Sequence, residues 1–191
     1  MIKSKTDLFN AVLTRLGEKR INDSNVTDSS AVVLRGVYQQ AVDEVLAAYP
    51  WTCATSRAVL PQVDGENHTG FEHMYQIPAD CLAILSLLDV TTKRPVTDEY
   101  VREGGRLYTD RPEVAVKYTH RIEFYDMDTL VQNVLVLMLA YKSAYRITQD
   151  KELEQDMLAQ YQKAVYDAEF ADGMERVNRN VDDTDRGWLI P

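Results

Sequence analysis

The chain is poor in cysteine, in basic residues and in long apolar runs. Its 191 residues include two cysteines, Cys53 and Cys81. They form no CxxC pair, so a thioredoxin-like motif and a cysteine-based zinc site are both unsupported. Two reduced, mostly buried thiols are expected, because an isolated cysteine packs as a small hydrophobe. A disulfide between them stays open as the alternative. Lys and Arg number 21 against 30 Asp and Glu, a formal net charge of −9. A protein that grips DNA electrostatically needs clustered cations to neutralise phosphates, and that class is disfavoured here. An acidic wall around a channel is a different matter, since it repels DNA and keeps a passing duplex from sticking. No run reaches ~18 apolar residues, so no membrane-spanning helix is expected. Met1 to Asp7 contains no apolar signal core, and a cytoplasm-like compartment is expected. P-loop, GxGxxG, GxSxG and HExxH motifs are all missing.

What is there begins with a helical period at both ends and a β period between. The hydrophobic fraction of 45% is ordinary for a globular protein. A chain of this length makes one domain with a real core. Ser4 and Asp7 form an N-terminal capping pattern. Leu8, Phe9, Val12, Leu13 and Leu16 follow at helical spacing, and Gly17 is placed as a C-cap. Residues 18–27 read as a polar loop. A second helix from Thr27 or Asp28 carries the stripe Leu34, Val37, Tyr38, Ala41, Val42, Val45, Leu46 and Tyr49. Pro50 stops it.

The middle third alternates. Trp51–Leu60 and Phe71–Ile77 read as strands, separated by a turn at Asp64–Asn67. Leu82–Val90 is β-compatible, although Ala83, Leu85 and Leu88 leave a helical reading open. Gly104-Gly105 marks a hairpin, and Val114–Thr119 closes a small antiparallel sheet. From Asp126 the helical period returns, with apolar residues from Leu130 to Tyr145 on almost every face, so this helix should be central. The next, from about Asp150 to Ala171, is one-sided. Leu153, Met157, Tyr161, Ala164, Val165 and Ala168 face inward, and its other face is acidic, from Glu152 to Asp172. Gly173 is read as its end. The expected fold is mainly α with a small inserted antiparallel β region. In that reading residues 1–173 form one domain: a four-helix bundle (4–49 and 126–172) carries a β-lobe (51–120), and residues 174–191 form an extended C-terminal arm.

Catalytic chemistry finds little footing. His68 and His73, with Glu66 or Glu72, could be imagined as a metal site, which makes a small metal-dependent hydrolase one alternative function. Surface histidines are the simpler reading. Asp126 and Asp128 are explained as helix caps, because carboxylates are stabilised by the orphan N–H groups of a helix start. No catalytic, cofactor-binding or metal-ligating residue is assigned. The eleven tyrosines and two tryptophans carry more information, since Tyr and Trp are favoured contact anchors. Trp51 reads as core, whereas Tyr108, Tyr118 and Tyr125 divide between core and interface. Trp188 lies outside any expected element. The arm residues Arg176, Arg179, Arg186, Trp188, Leu189 and Ile190 are therefore candidates for binding a partner on which the arm orders, with a disordered tail as the alternative.

Two aromatic–proline junctions give the chain its most particular pattern. One is Tyr49-Pro50-Trp51, followed by small residues and Arg57; the other runs Tyr75-Gln76-Ile77-Pro78-Ala79-Asp80-Cys81-Leu82. Tyr49, Pro50, Trp51, Tyr75 and Pro78 are read as structural joints. With the β region from Val96 to Thr119 and the helix from Leu130 to Thr148, these segments resemble the head-to-tail adaptors of short-tailed bacteriophages. These are the portal-proximal connectors of the tail tubular protein A type. Ala83 departs from the pattern, because Arg is common there. The resemblance implies a non-enzymatic virion protein without a cofactor, assembled in the host cytoplasm. It implies a twelve-copy ring that joins the portal protein to the tail nozzle protein and serves genome ejection. DNA would pass through its channel without specific binding, no membrane would be involved, and the C-terminal arm would reach the portal. A neck or stopper protein of a long-tailed phage is a further alternative.

Overall fold

The computed structural model describes residues 4–24 and 27–185, without the side chains of 176–185. The chain divides into two compact units, Met1–Cys53 with Ile122–Pro191, and Ala54–Arg121.

The first unit is helical. Helix α1 spans Lys5–Arg15, and the Ser4 hydroxyl accepts from the Asp7 N–H at its start. Its end follows from glycine's freedom at positive φ. Gly17 sits at φ 73°, and the Glu18 N–H turns back to the Leu13 carbonyl at 2.9 Å. Asn10 then holds the following loop at two points, donating to the Ile21 carbonyl (2.9 Å) and accepting from the Ile21 N–H (2.8 Å). Helix α2 spans Ser29–Ala48, with the Asp28 carboxylate accepting from Ser30 and Ala31 N–H groups. It stops at Tyr49, which is forced to extended backbone (φ −149°, ψ 147°) by the following proline. Helix α3 spans Thr129–Thr148 and buries Val131, Val134 to Ala140 and Ala144. It turns at Gln149 (φ 58°) into helix α4, Lys151–Asp185. The Asp150 carboxylate opens α4 by accepting from the Glu152 and Leu153 N–H groups.

The second unit contains strands β1 (Thr55–Val59), β2 (His73–Gln76), β3 (Cys81–Leu88), β4 (Pro95–Val96), β5 (Val101–Glu103), β6 (Arg106–Thr109) and β7 (Ala115–His120). They make a four-stranded sheet ordered β1-β7-β3-β4 and a three-stranded sheet ordered β2-β6-β5, all antiparallel. Gly104 (φ 56°) and Gly105 (φ 76°) form the β5–β6 turn, where both central positions need positive φ. Leu60, Tyr75, Ile77, Leu87, Leu107, Val114, Val116 and Tyr118 share one core drawn from both sheets.

This arrangement corrects the expected fold. The described residues are 48% helical and 19% strand, with four helices and two curled antiparallel sheets forming a half-barrel. It is not a mainly-α four-helix bundle with a small β insertion. The β region is large because it buries a core of its own, which a small lobe packed on a bundle would not need to do. The helical reading of Leu82–Val90 also fails. Those residues supply β3, which pairs with β7 from Cys81↔His120 to Leu88↔Ala115 through two register irregularities. Gly173 does not end α4, which continues to Asp185. A glycine within a helix costs only about 1 kcal/mol relative to alanine, and no proline follows to enforce a stop before Asp185.

Candidate functional site

The joint residues fall in separate units. In the helical unit Trp51 is fully buried. Its indole N–H donates to the Val45 carbonyl at 2.7 Å, and its ring lies 4.8 Å from that of Tyr49. The Trp51 N–H folds back to the Tyr49 carbonyl across Pro50. The next residue ties the joint to α4, since the Thr52 N–H donates to the Asp172 carboxylate at 2.9 Å. Burial pushes the neighbouring Cys53 thiol up, a hydrogen bond to the Asp128 backbone opposes that, and the Asp128 and Asp172 carboxylates add to the rise. A thiol raised in this way ionises less readily than a free one.

In the β unit, Tyr75 is buried and its hydroxyl donates to the Arg111 carbonyl at 2.6 Å. Pro78 is half-buried, and its carbonyl accepts from the Cys81 N–H as β3 begins. Burial raises the thiol of Cys81 as well. Both cysteines are free thiols in separate units. Each joint thus buries a large aromatic ring whose polar handle is satisfied by a backbone carbonyl, as a buried Tyr or Trp requires.

The candidate chemical groups form separate pairs. His68 lies 3.7 Å from Glu66, and both are highly exposed. His73 lies 4.0 Å from Glu72 and 3.4 Å from the Gln62 amide. His120 contacts the Ala54 carbonyl at 2.9 Å. Among the described residues, no three His, Cys, Asp or Glu side chains converge as a metal-binding group. Asp128 occupies the N-cap position of α3, yet its carboxylate makes no capping bond there. Asp126 lies in a short 3-10 turn, Phe124–Asp126.

Two features escaped the sequence reading. The first is Arg111, whose guanidinium reaches Asp98 at 2.6 Å and Asp89 at 2.9 Å. Asp89 also accepts from the Thr91 and Thr92 N–H groups and the Thr92 hydroxyl. The bonds from Thr92 are the main reason that its carboxyl is held below the usual range. Arg111 therefore pins the β3–β4 turn, the β4–β5 loop and the β6–β7 turn to one point. Its partners are distant in sequence, and no local spacing signals them.

The second feature is the outer face of α4, read above as acidic. Tyr166, Phe170 and Met174 stand there at 69%, 64% and 52% exposure. The four-residue spacing places them in one row, away from the buried Met157 and Ala168. That spacing was visible in the sequence but was masked by the stronger inner stripe. Beside this row, Leu130, Asn133, Leu137, Gln160, Lys163, Ala164 and Asp167 line a groove between α3 and α4. Arg15 of α1 spans the two helices there, donating to Asn133 and Gln160 at 3.2 Å each. Of the arm candidates, Arg176 and Arg179 fall on the α4 backbone. Arg186, Trp188, Leu189 and Ile190 lie outside the described residues.

No protein-family model matches the chain, and no curated protein matches it.

Proposed function

We propose that the protein is a structural head-to-tail adaptor of a short-tailed bacteriophage. Copies of the chain form a ring that joins the portal protein to the tail nozzle protein and continues the DNA channel. The observation that carries this reading is the pair of junctions at Tyr49–Arg57 and Tyr75–Leu82, which resemble those adaptors in sequence. Two further properties support it. The net charge of −9 suits a channel wall that DNA passes without sticking. The exposed row on α4 supplies anchors of the kind that protein interfaces favour. The arm, with Arg176, Arg179, Arg186, Trp188, Leu189 and Ile190, serves partner binding, and the chain performs no catalysis.

Electron microscopy of the purified protein mixed with the portal protein of its own virus tests the proposal. The expected image is a portal ring carrying an additional ring of density at one end. Bare portal rings in the presence of excess folded protein would reject it.

A further inference from the structure

The two sheets of the β unit are tied together at both ends of β3, by different chemistry at each end. At the Cys81 end the ties run to backbone carbonyls. The Arg102 guanidinium of β5 donates to the Leu82 and Cys81 carbonyls at 3.2 and 3.4 Å. The Ile77 N–H, where the chain leaves β2 for β3, donates to the Gly105 carbonyl at 3.2 Å. Carbonyl acceptors do not titrate, so mild acid leaves this end unchanged.

At the Leu88 end, roughly 23 Å along the strand, the ties are ionic. Arg111 lies on the connection from β6 to β7, where the chain passes from the three-stranded sheet to the four-stranded one. Its guanidinium reaches Asp89, which follows β3, and Asp98, on the β4–β5 loop that crosses between the sheets. Its carbonyl accepts from the buried Tyr75 hydroxyl of β2. One residue thus joins both sheets and the edge of the core they share. Asp98, Glu99 and Asp110 line one cavity with Arg111, and Asp89 and Glu113 line a second. Lys93 and Arg94 are exposed in the β3–β4 turn. The paired side chains are part-exposed, at 26% for Arg111, 30% for Asp89 and 44% for Asp98. Solvent reaches a pair at that depth, so it opens reversibly, whereas breaking a fully buried pair strands a charge.

We infer that Arg111, Asp89 and Asp98 form an acid-released latch across the two sheets, with the Arg102 end of β3 as its hinge. Release frees three connections at once and lets water reach the shared core at Tyr75. Each sheet keeps its own ladder, and the helical unit stays folded. The direction follows from Asp89, whose carboxyl is held below the usual range by the Thr92 bonds first, with smaller help from Thr91 and Arg111. Such a group stabilises the closed form above the ordinary aspartate range, and that stability is lost as pH falls through the folded value. The latch stands whether or not the chain is an adaptor.

Hydroxyl-radical footprinting of the full chain over a pH series is the test. Tyr75 reports on the β core and Trp51 on the helical unit, and both rings are fully buried. In the parent both should be unreactive at pH 7. Below about pH 3.9, Tyr75 oxidation should rise at least about tenfold before Trp51 responds. Arg111→Met should show that rise already at pH 7 with Trp51 still protected, because each charge-assisted bond lost changes the open population by about tenfold or more. Tyr75 and Trp51 reacting together on acidification is global unfolding and overturns the inference. So does a folded Arg111→Met whose Tyr75 stays unreactive at pH 7. If Arg111→Met does not fold, Asp98→Asn decides: it should move the onset of Tyr75 oxidation to higher pH, and an onset identical to the parent's overturns the latch. Arg102→Met should leave the parent's onset in place. An onset moved as far as in Asp98→Asn would overturn the division into latch and hinge.

Discussion

The two units differ in how many of their aromatic residues they leave exposed. In the β unit, Tyr75 and Tyr118 are buried around Leu107 and Val116, and the Tyr75 hydroxyl is bonded to backbone. In the helical unit, Phe9 and Trp51 are buried, but Tyr125, Tyr145, Tyr166 and Phe170 stand exposed, together with Leu130 and Met174. Among the described residues of the β unit, only Val59 and Tyr100 are comparable. The β unit thus commits its large apolar side chains to its own core. The helical unit carries more than its core uses, and most of the surplus lies along α3 and α4. Under the proposed function, that surplus is the surface that meets other proteins. The β unit, pinned at Arg111, is the more self-contained piece.

Substitutions can break this contrast at either end, and the largest effect is expected inside the helical unit. Trp51→Ala removes a fully buried indole and should lower unfolding free energy by about 3–5 kcal/mol. Urea unfolding measures it; a change under about 1 kcal/mol would mean that the joint is not a core element. Leu107→Ala does the same for the β unit, where Leu107 is also fully buried, and about 2–5 kcal/mol is expected. An effect near zero would show that the two sheets do not share a tight core.

A smaller effect comes from the turn lock. Asp89 has its carboxyl lowered in the folded state, by the Thr92 bonds first. A lowered carboxyl contributes stability that is present above the ordinary aspartate range and lost as pH falls through the folded value. Thermal unfolding of the parent should therefore fall more steeply than that of Asp89→Asn as the solution is acidified below that range. Parallel curves would remove Asp89 from the lock. The smallest effect on stability belongs to Phe170→Ser, which should change unfolding of the monomer by no more than about 0.5 kcal/mol, as for other surface positions. A loss of several kcal/mol would mean that Phe170 is core and that the contrast between the units is wrong.

Much of the local structure was legible because its causes are local. Ser4 capping α1, Gly17 closing it, Pro50 stopping α2 and Gly104-Gly105 turning the β5–β6 hairpin each depend on a few adjacent residues. The buried α3 was legible because its apolar residues cover almost every face. The balance between helix and sheet was not. Strands as short as Pro95–Val96 and Val101–Glu103 leave almost no periodic trace, and β3 is irregular in register. The end of α4 was misread because glycine was taken as a stop where a continuous helix tolerates it. The lock at Arg111 joins residues 13 and 22 positions apart, which only the folded chain brings together. At the candidate interface, the inner stripe of α4 was seen and the outer row was not, since a helix with two apolar faces looks like one face with noise.

Hydroxyl-radical footprinting of the full chain, free and mixed with the portal rings that the proposed function assigns to it, tests most directly whether the surplus on the helical unit is an assembly surface. The expected result is strong oxidation of Tyr166, Phe170 and Met174 in the free chain and marked protection in the assembly, with Trp51 and Tyr75 unreactive in both. Equal oxidation of the α4 row in free and assembled protein would contradict it.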